Sequence, residues 1–351
     1  MQLYLNRDEM IVLVKLDRAT YEKINALVKD GKYPSIESFL DIAVRNQLLL
    51  EGEEKTQNAT KRNISYDTEK EKFSLSLPRQ QPRTIAPPSV EETIKNAPLW
   101  GQVNRLGPAK FVLRLLLNGL VSLDDNTLDL KRFSAEVAER ATEFRLFAKR
   151  KDKKNRVRGE YLYVGFPKKD PFSQQRFLNY YVGKAPLQKW TDSVLLGLGL
   201  ADIVEAEDGS RVIGLTEAGL KFSMLNSPLI DEFFSKEKQI SLPFSDEETS
   251  FLIDQIKSFR PGEFEFLKFV LTSIRNGADT PTKLKDKVFD FLKNKDLQIK
   301  LSEKIAITMM VGAVGRLVEM GFIKIEKEAQ KSKYILTDKV EALIGKFQSF
   351  S

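Results

Sequence analysis

The chain has 351 residues, of which 42% are hydrophobic and 30% charged, with a formal charge of +7. That leaves room for two or three domains with real cores, and no run nears the ~18 uninterrupted apolar residues of a membrane span. Histidine and cysteine are both absent, which excludes histidine-based triads, Cys/His zinc sites and the usual neutral-pH general base.

No GxxxxGK[ST] loop or GxSxG elbow occurs, and Gly197 and Gly199 lack the later glycine of a GxGxxG loop. Carboxylates are scattered among lysines as on solvated helices. The expectation is a protein that is not an enzyme and takes no cofactor or metal. The opening MQLYLNRDEM lacks the basic-then-apolar order of a signal peptide, and the missing cysteines fit the cytoplasm.

Residues 10–16, MIVLVKL, are an apolar, β-branched run and read as a strand. Tyr21, Ile24, Leu27 and Val28 follow at helical spacing, with Gly31 as a stop. Ser35 is a candidate N-cap for a second helix that carries Phe39, Ile42, Ala43, Asn46 and Leu49 and ends near Gly52. Ser38 stands where a capping box would want Glu or Gln. In their order, the strand, the two helices and the Gly-x-Tyr-x-Ser joint between them resemble the ribbon–helix–helix family over about residues 10–50. The resemblance implies an intertwined dimer made by strand pairing, with the ribbon entering a DNA major groove. Alternation places Val12, Val14 and Leu16 on one strand face and Ile11, Leu13 and Lys15 on the other. The DNA-facing side would then carry two aliphatics and one lysine, where base readout needs polar groups. Residues 1–51 are therefore expected to be a homodimerisation head, acting through Ile11, Leu13 and Lys15, with weak or no DNA contact. A small α/β core that merely resembles the family is the alternative.

Residues 52–97 read as a Pro-rich flexible linker. Their EGEEKTQNATKRN start is polar, and Pro78, Pro82, Pro87 and Pro88 favour extended chain. Phe73, Leu75 and Leu77 alternate and could form a short docked strand.

The remainder holds a loose internal repeat. Residues 194–222 and 315–343 each read as a helix ending at glycine, an apolar strand, a polar turn, a second strand, and Leu-Thr before a closing helix. Gly199 and Gly321 are the helix stops, and Thr216 and Thr337 can N-cap. Helices are expected upstream at 109–120, 133–150, 173–182 and 187–198 in the first copy. In the second they fall at 247–259, 263–276, 282–293 and 302–320. This order resembles winged-helix domains, so the expected class is mainly α with small β elements, α+β, with domains over 98–226 and 227–351. Winged helices bind DNA or RNA, or serve as protein docking modules.

In the second copy, residues 302–320 are apolar around nearly the whole circumference, which predicts a buried helix or a protein partner's docking site. Gly312 and Gly315 there leave room for close approach by another backbone. The first copy differs. Residues 98–226 carry 21 basic against 15 acidic residues, while 227–351 carry 20 against 19, so nearly all the surplus sits in one half. It concentrates in AKRKDKKNRVRGEYLYVGFPKK, residues 148–169, with nine basic and two acidic residues. Lys149, Arg150, Lys151, Lys153, Lys154, Arg156 and Arg158 are the candidate DNA phosphate contacts, with Lys184 and Lys189 beside the third helix. Tyr161 and Tyr163, on an expected strand over 159–166, are close enough to stack on exposed bases. The competing reading is a solvated turn whose first lysines gain only from a helix C-terminus.

Together these features predict a dimeric, DNA-binding regulator or replication or partition protein whose contacts are mainly to phosphate. The alternative is a scaffold subunit of a larger DNA-associated complex.

Overall fold

The computed structural model describes residues 2–7, 10–15, 17–29, 35–36, 39–40, 74–152, 161–183, 193–295, 301–328 and 331–340. The chain divides into two compact units, Met1–Glu71 and Lys72–Ser351. The architecture is α+β, mainly helical with a few small antiparallel strands. No described helix is long and apolar enough to cross a membrane.

In the first unit, β1 (Gln2–Arg7) and β2 (Met10–Lys15) form an antiparallel pair. Ile11 stands opposite Asn6, Leu13 opposite Tyr4, and Lys15 opposite Gln2. The strand expected to pair with a second copy therefore has a partner within its own chain. In β1, Leu3 and Leu5 recur at the period of two that marks a strand. Helix α1 (Arg18–Lys29) follows where the spacing predicts it. Asp17 caps it, accepting from Thr20 N at 2.8 Å and from Thr20 Oγ1 at 2.6 Å. Most of the expected second helix lies outside the described residues.

The second unit opens with α2 (Glu92–Lys95), α3 (Gly107–Leu123), β3 (Leu128–Asp129) and α4 (Leu130–Asp152). Helices α5 (Pro171–Tyr181) and α6 (Val194–Gly197), strands β4 (Ala201–Glu205) and β5 (Arg211–Leu215), and α7 (Glu217–Met224) complete its first half. A π-helical turn, Pro228–Phe234, leads to α8 (Asp246–Phe259), α9 (Pro261–Arg275), α10 (Pro281–Lys293) and α11 (Glu303–Glu319). Strands β6 (Ile323–Glu328) and β7 (Lys331–Leu336) follow.

The internal repeat has a matching geometry. Gly199 and Gly321 both take positive φ, 62° and 81°, the conformation that stops a helix at low cost only with glycine. Thr216 donates to the Gly199 carbonyl at 2.6 Å, and Thr337 to the Gly321 carbonyl at 2.7 Å. Each threonine thus locks the end of a hairpin onto the helix stop before it. In the first copy β3 adds to the hairpin, giving the order β3-β5-β4. In the second, Tyr334 N donates to the Asp279 carbonyl at 2.8 Å, a single bond in the place of that third strand.

Three expectations are corrected. First, residues 74–97 are not a free tether. Leu75, Val90, Ile94 and Ala97 are buried in the core of the second unit. Arg114 Nη1 donates to the Leu75 carbonyl at 3.0 Å, Asn118 Nδ2 to Ser76 O at 2.8 Å, and Ile85 N to Leu215 O at 2.8 Å. Proline-stiffened chain loses little entropy on docking, so a few apolar anchors and satisfied carbonyls suffice. Second, residues 98–226 and 227–351 share one continuous core. Third, residues 161–166 form successive turns rather than a strand, with Val164 N bonded to Tyr161 O at 3.2 Å and Phe166 N to Tyr163 O at 3.3 Å.

The two halves meet along residues 97–107, through buried charge. Arg260 Nε donates to the Ala97 carbonyl at 2.9 Å. Glu263 accepts from Leu99 N at 2.8 Å and pairs with Arg316, which also donates to Val103 O. Glu319 accepts from Leu106 N and from Gly107 N, the latter at 3.0 Å. On α3, Lys110 pairs with Glu248 at 2.9 Å, and Arg114 grips Asp231 at 2.8 and 3.1 Å. Each of these buried charges faces a countercharge or backbone dipoles, the condition under which burial is tolerated. Gly312 and Gly315 behave as expected: a Cβ on Gly312 would stand 2.6 Å from Gly101 Cα, and one on Gly315 2.5 Å from Asn104 O.

Candidate nucleic-acid interface

The basic stretch begins on the last turns of α4. Lys149 and Arg150 are exposed, where cations also complement the helix dipole. Lys151 is paired with Glu237. Asp152 is buried and accepts from Leu162 N. Two turns before Asp152, Arg145 Nη1 donates to the carbonyls of Tyr163 at 3.0 Å and Phe166 at 2.8 Å. One face of α4, carrying 145, 149 and 152, is thereby fastened along the turns of residues 161–166, with Lys149 between the two anchor points. Lys153, Lys154, Arg156, Arg158, Lys184 and Lys189 lie outside the described residues.

Within those turns Leu162 is buried while Tyr161 and Tyr163 are half-buried. Their rings stack, with centroids 5.2 Å apart and planes 23° from parallel. The Arg145 guanidinium lies 5.1 Å from the Tyr163 ring centroid, a cation–π contact. Burial lowers the Arg145 pKa from its usual value, though an arginine stays charged throughout the working pH range.

Two clefts meet at Tyr163. One, of about 760 Å³, is bounded by Asn104, Tyr161, Val311, Ile325, Lys327 and Tyr334. The other, of about 270 Å³, is bounded by Arg145, Lys168, Arg176 and Tyr180. Among the described residues no carboxylate lines either one. Arg176 and Tyr180 are one helical turn apart on α5, which Asp170 caps by accepting from Ser173 N at 2.8 Å. Tyr334 stands opposite Ile325 across the β6–β7 hairpin, and Lys327 is exposed beside them. A third cavity, of about 440 Å³, lies beyond Tyr161 against Leu162, Leu242, Glu319 and Lys324. Glu319 is buried there, and burial pushes its carboxyl up to about 7, against the lowering pull of Arg105 and its two N–H donors.

The two clefts offer aromatic faces and cations with no carboxylate among the described residues that line them, which suits phosphates and bases together. Among the described residues no group of three or more Asp, Glu, His or Cys could hold a metal. The sequence pointed to Lys149, Arg150, Lys151 and the two tyrosines, and of these Lys151 is engaged with Glu237. It missed Arg176, Lys327 and Tyr334 as members of the same surface. The Arg176–Tyr180 spacing was a usable signal, whereas Lys327 and Tyr334 reach the clefts only through the tertiary joint. The predicted dimerisation residues Ile11, Leu13 and Lys15 belong to the first unit and are described there by their strand register alone. Compared with family models, curated proteins and solved structures, the chain matches none.

Proposed function

We propose that this protein is a non-enzymatic, DNA-associated protein whose second unit holds nucleic acid on the surface around Tyr163. The observation that carries the reading is the pair of clefts lined, among the described residues, by tyrosines, arginines and lysines without a carboxylate, in the same unit as the exposed Lys149 and Arg150. Phosphates would be held by Lys149 and Arg150 with Lys168, Arg176 and Lys327, and by the lysines and arginines at 153, 154, 156 and 158. Such contacts position a protein on nucleic acid without specifying sequence. In this reading the two halves are winged-helix-like, supported by the repeated helix stop, hairpin and threonine lock and by the sheet order β3-β5-β4. The first unit serves as a self-association head of ribbon–helix–helix type. With β1 already on one side of β2, a second copy would add at another edge. A regulator or a replication or partition factor fits this combination.

The scaffold reading has less surface to use. On residues 302–320 the exposed large apolar side chains are Ile307 and Val311, because residues 100–105 of the same chain cover much of the helix.

Salt titration of DNA binding tests the proposal. Each phosphate neutralised on duplex DNA contributes about 0.9 to the slope of log affinity against log salt. Replacing Lys153, Lys154, Arg156 and Arg158 together by alanine should flatten the slope by roughly 3 to 4 if all four make contacts. Identical slopes for variant and parent would reduce the segment to a solvated turn.

A further inference from the structure

We propose that the space beside Tyr161 is a stacking slot for an unpaired nucleobase, so that the strand held at this point is single-stranded. The inference rests on the nucleic-acid reading above and narrows it to one class of ligand.

The geometry is an unfinished stack. The Arg145 guanidinium lies 5.1 Å from the Tyr163 ring centroid, and Tyr163 stacks on Tyr161 at 5.2 Å. Tyr161 borders both the 760 Å³ cleft and the 440 Å³ cavity, and the cavity side also carries Glu319 and Asp338. A further flat ring placed in the cleft would extend the stack. The surroundings suit the two parts of a nucleotide separately. Val311, Val314, Ile325 and Tyr334 give the larger cleft an apolar floor against which a base can lose water. Lys327, and Lys168 and Arg176 in the adjoining cleft, supply positive charge for the phosphates.

A duplex cannot use this arrangement. Its bases are already stacked on their neighbours and present only their edges in the grooves. Aromatic rings recessed in a cleft are reached by bases that are unpaired and splayed out. The slot reads no base edge, so the expected preference is for strand state and not for sequence.

The test is fluorescence anisotropy of the full chain with a labelled oligothymidylate of roughly 20 nucleotides, longer than the ~4–16 nucleotides of one such site. An oligouridylate and a duplex of the same length form the other arms. One or both single strands should bind more tightly than the duplex, and the tighter of the two identifies the preferred sugar. Tyr161→Ala should weaken single-strand binding roughly 5- to 150-fold, the fold-change for one base–aromatic stack, and weaken duplex binding by clearly less. Tyr161→Phe should keep parental affinity, because the ring is retained. Tyr161→Trp offers an independent readout: its emission, corrected for Trp100 and Trp190 with the parent chain, should be quenched by the single strand. The slot is refuted by an unchanged single-strand affinity in a folded Tyr161→Ala variant, by absent quenching in Tyr161→Trp, or by tighter binding of the duplex. If neither single strand nor duplex binds at low salt, the nucleic-acid reading itself fails, and the slot falls with it.

Discussion

Arg316 and Glu263 meet in the interior of the second unit, Nε to Oε1 at 2.8 Å and Nη2 to Oε2 at 3.2 Å, with neither side chain exposed to solvent. The pair joins α11 to α9 and, through Leu99 N and Val103 O, fastens both to the segment that leads into α3. Removing one partner leaves the other charge buried and uncompensated. Arg316→Met or Glu263→Leu should therefore cost about 3–5 kcal/mol of stability. The double variant should recover only part of that, since Leu99 N and Val103 O still lose their partners at about 1–3 kcal/mol each. Urea unfolding of the three variants checks this, and single variants within 1 kcal/mol of the parent would contradict the role given to the pair.

Glu319 predicts a pH dependence with a definite sign. Burial pushes its carboxyl from 4.5 to about 7 in the folded state, so between those values the folded chain holds a proton that the unfolded chain has released. The stability this contributes is fully present below 4.5 and is lost as pH rises through about 7. The decline is bounded at about 1.4 kcal/mol per pH unit for one group. Glu248 and Glu263 are also raised by burial, so Glu319→Gln should flatten the fall without abolishing it. Unfolding free energies across about pH 5 to 7.5 test the sign, and stability that rises with pH over that range would defeat it.

The parts of the fold legible in the sequence were those written locally. The helix stops at Gly199 and Gly321, the threonines at 216 and 337, and the repeat they define could be read from order and spacing alone. The close approach at Gly312 and Gly315 was also legible, because two small residues on an otherwise apolar helix face have few other uses. What was hidden depends on residues distant in the chain, from 39 positions for Arg114 and Leu75 to 213 for Glu319 and Leu106. Nothing near Arg114 announces that it will hold Leu75 and Asp231, and nothing near Glu319 announces Leu106 and Gly107. The expected strand at 159–166 failed for a similar reason: Arg145 gathers the carbonyls of Tyr163 and Phe166 onto one guanidinium, and Gly165 turns the chain at φ 94°. The tyrosine pair was visible as spacing, but its clefts were not, because the larger takes its far wall from β6, β7 and α11 and the smaller from α5.

The glycine contact between the halves should be intolerant of a single methyl group. A Cβ at Gly101 would lie 2.2 Å from Thr308 O, and one at Gly312 would lie 2.6 Å from Gly101 Cα. Both neighbours are backbone, so neither can rotate away. Gly312→Ala should destabilise by about 1–3 kcal/mol through overpacking, despite alanine's better helix propensity. Ile307→Ala on an exposed turn of the same helix should stay within about 0.5 kcal/mol. Thermal denaturation of the two variants side by side separates the cases, and a Gly312→Ala variant as stable as the parent would mean the segments move apart without penalty.

The three described cations at the end of α4 should not contribute equally to binding. Lys151 is paired with Glu237, whereas Lys149 and Arg150 are exposed. A lysine that already holds a carboxylate releases little when it meets a phosphate, because a countercharge is present before binding and must be displaced. Arg150→Ala should therefore reduce the salt slope of duplex binding by about 0.9, the value for one phosphate contact, and Lys151→Ala by clearly less. Glu237→Gln should act in the opposite direction, freeing Lys151 and steepening the slope. The surface ion pair itself is worth only about 0–1 kcal/mol, so none of the three changes should disturb folding. Equal slope changes for Arg150→Ala and Lys151→Ala, with no response to Glu237→Gln, would show that the pair does not persist in solution.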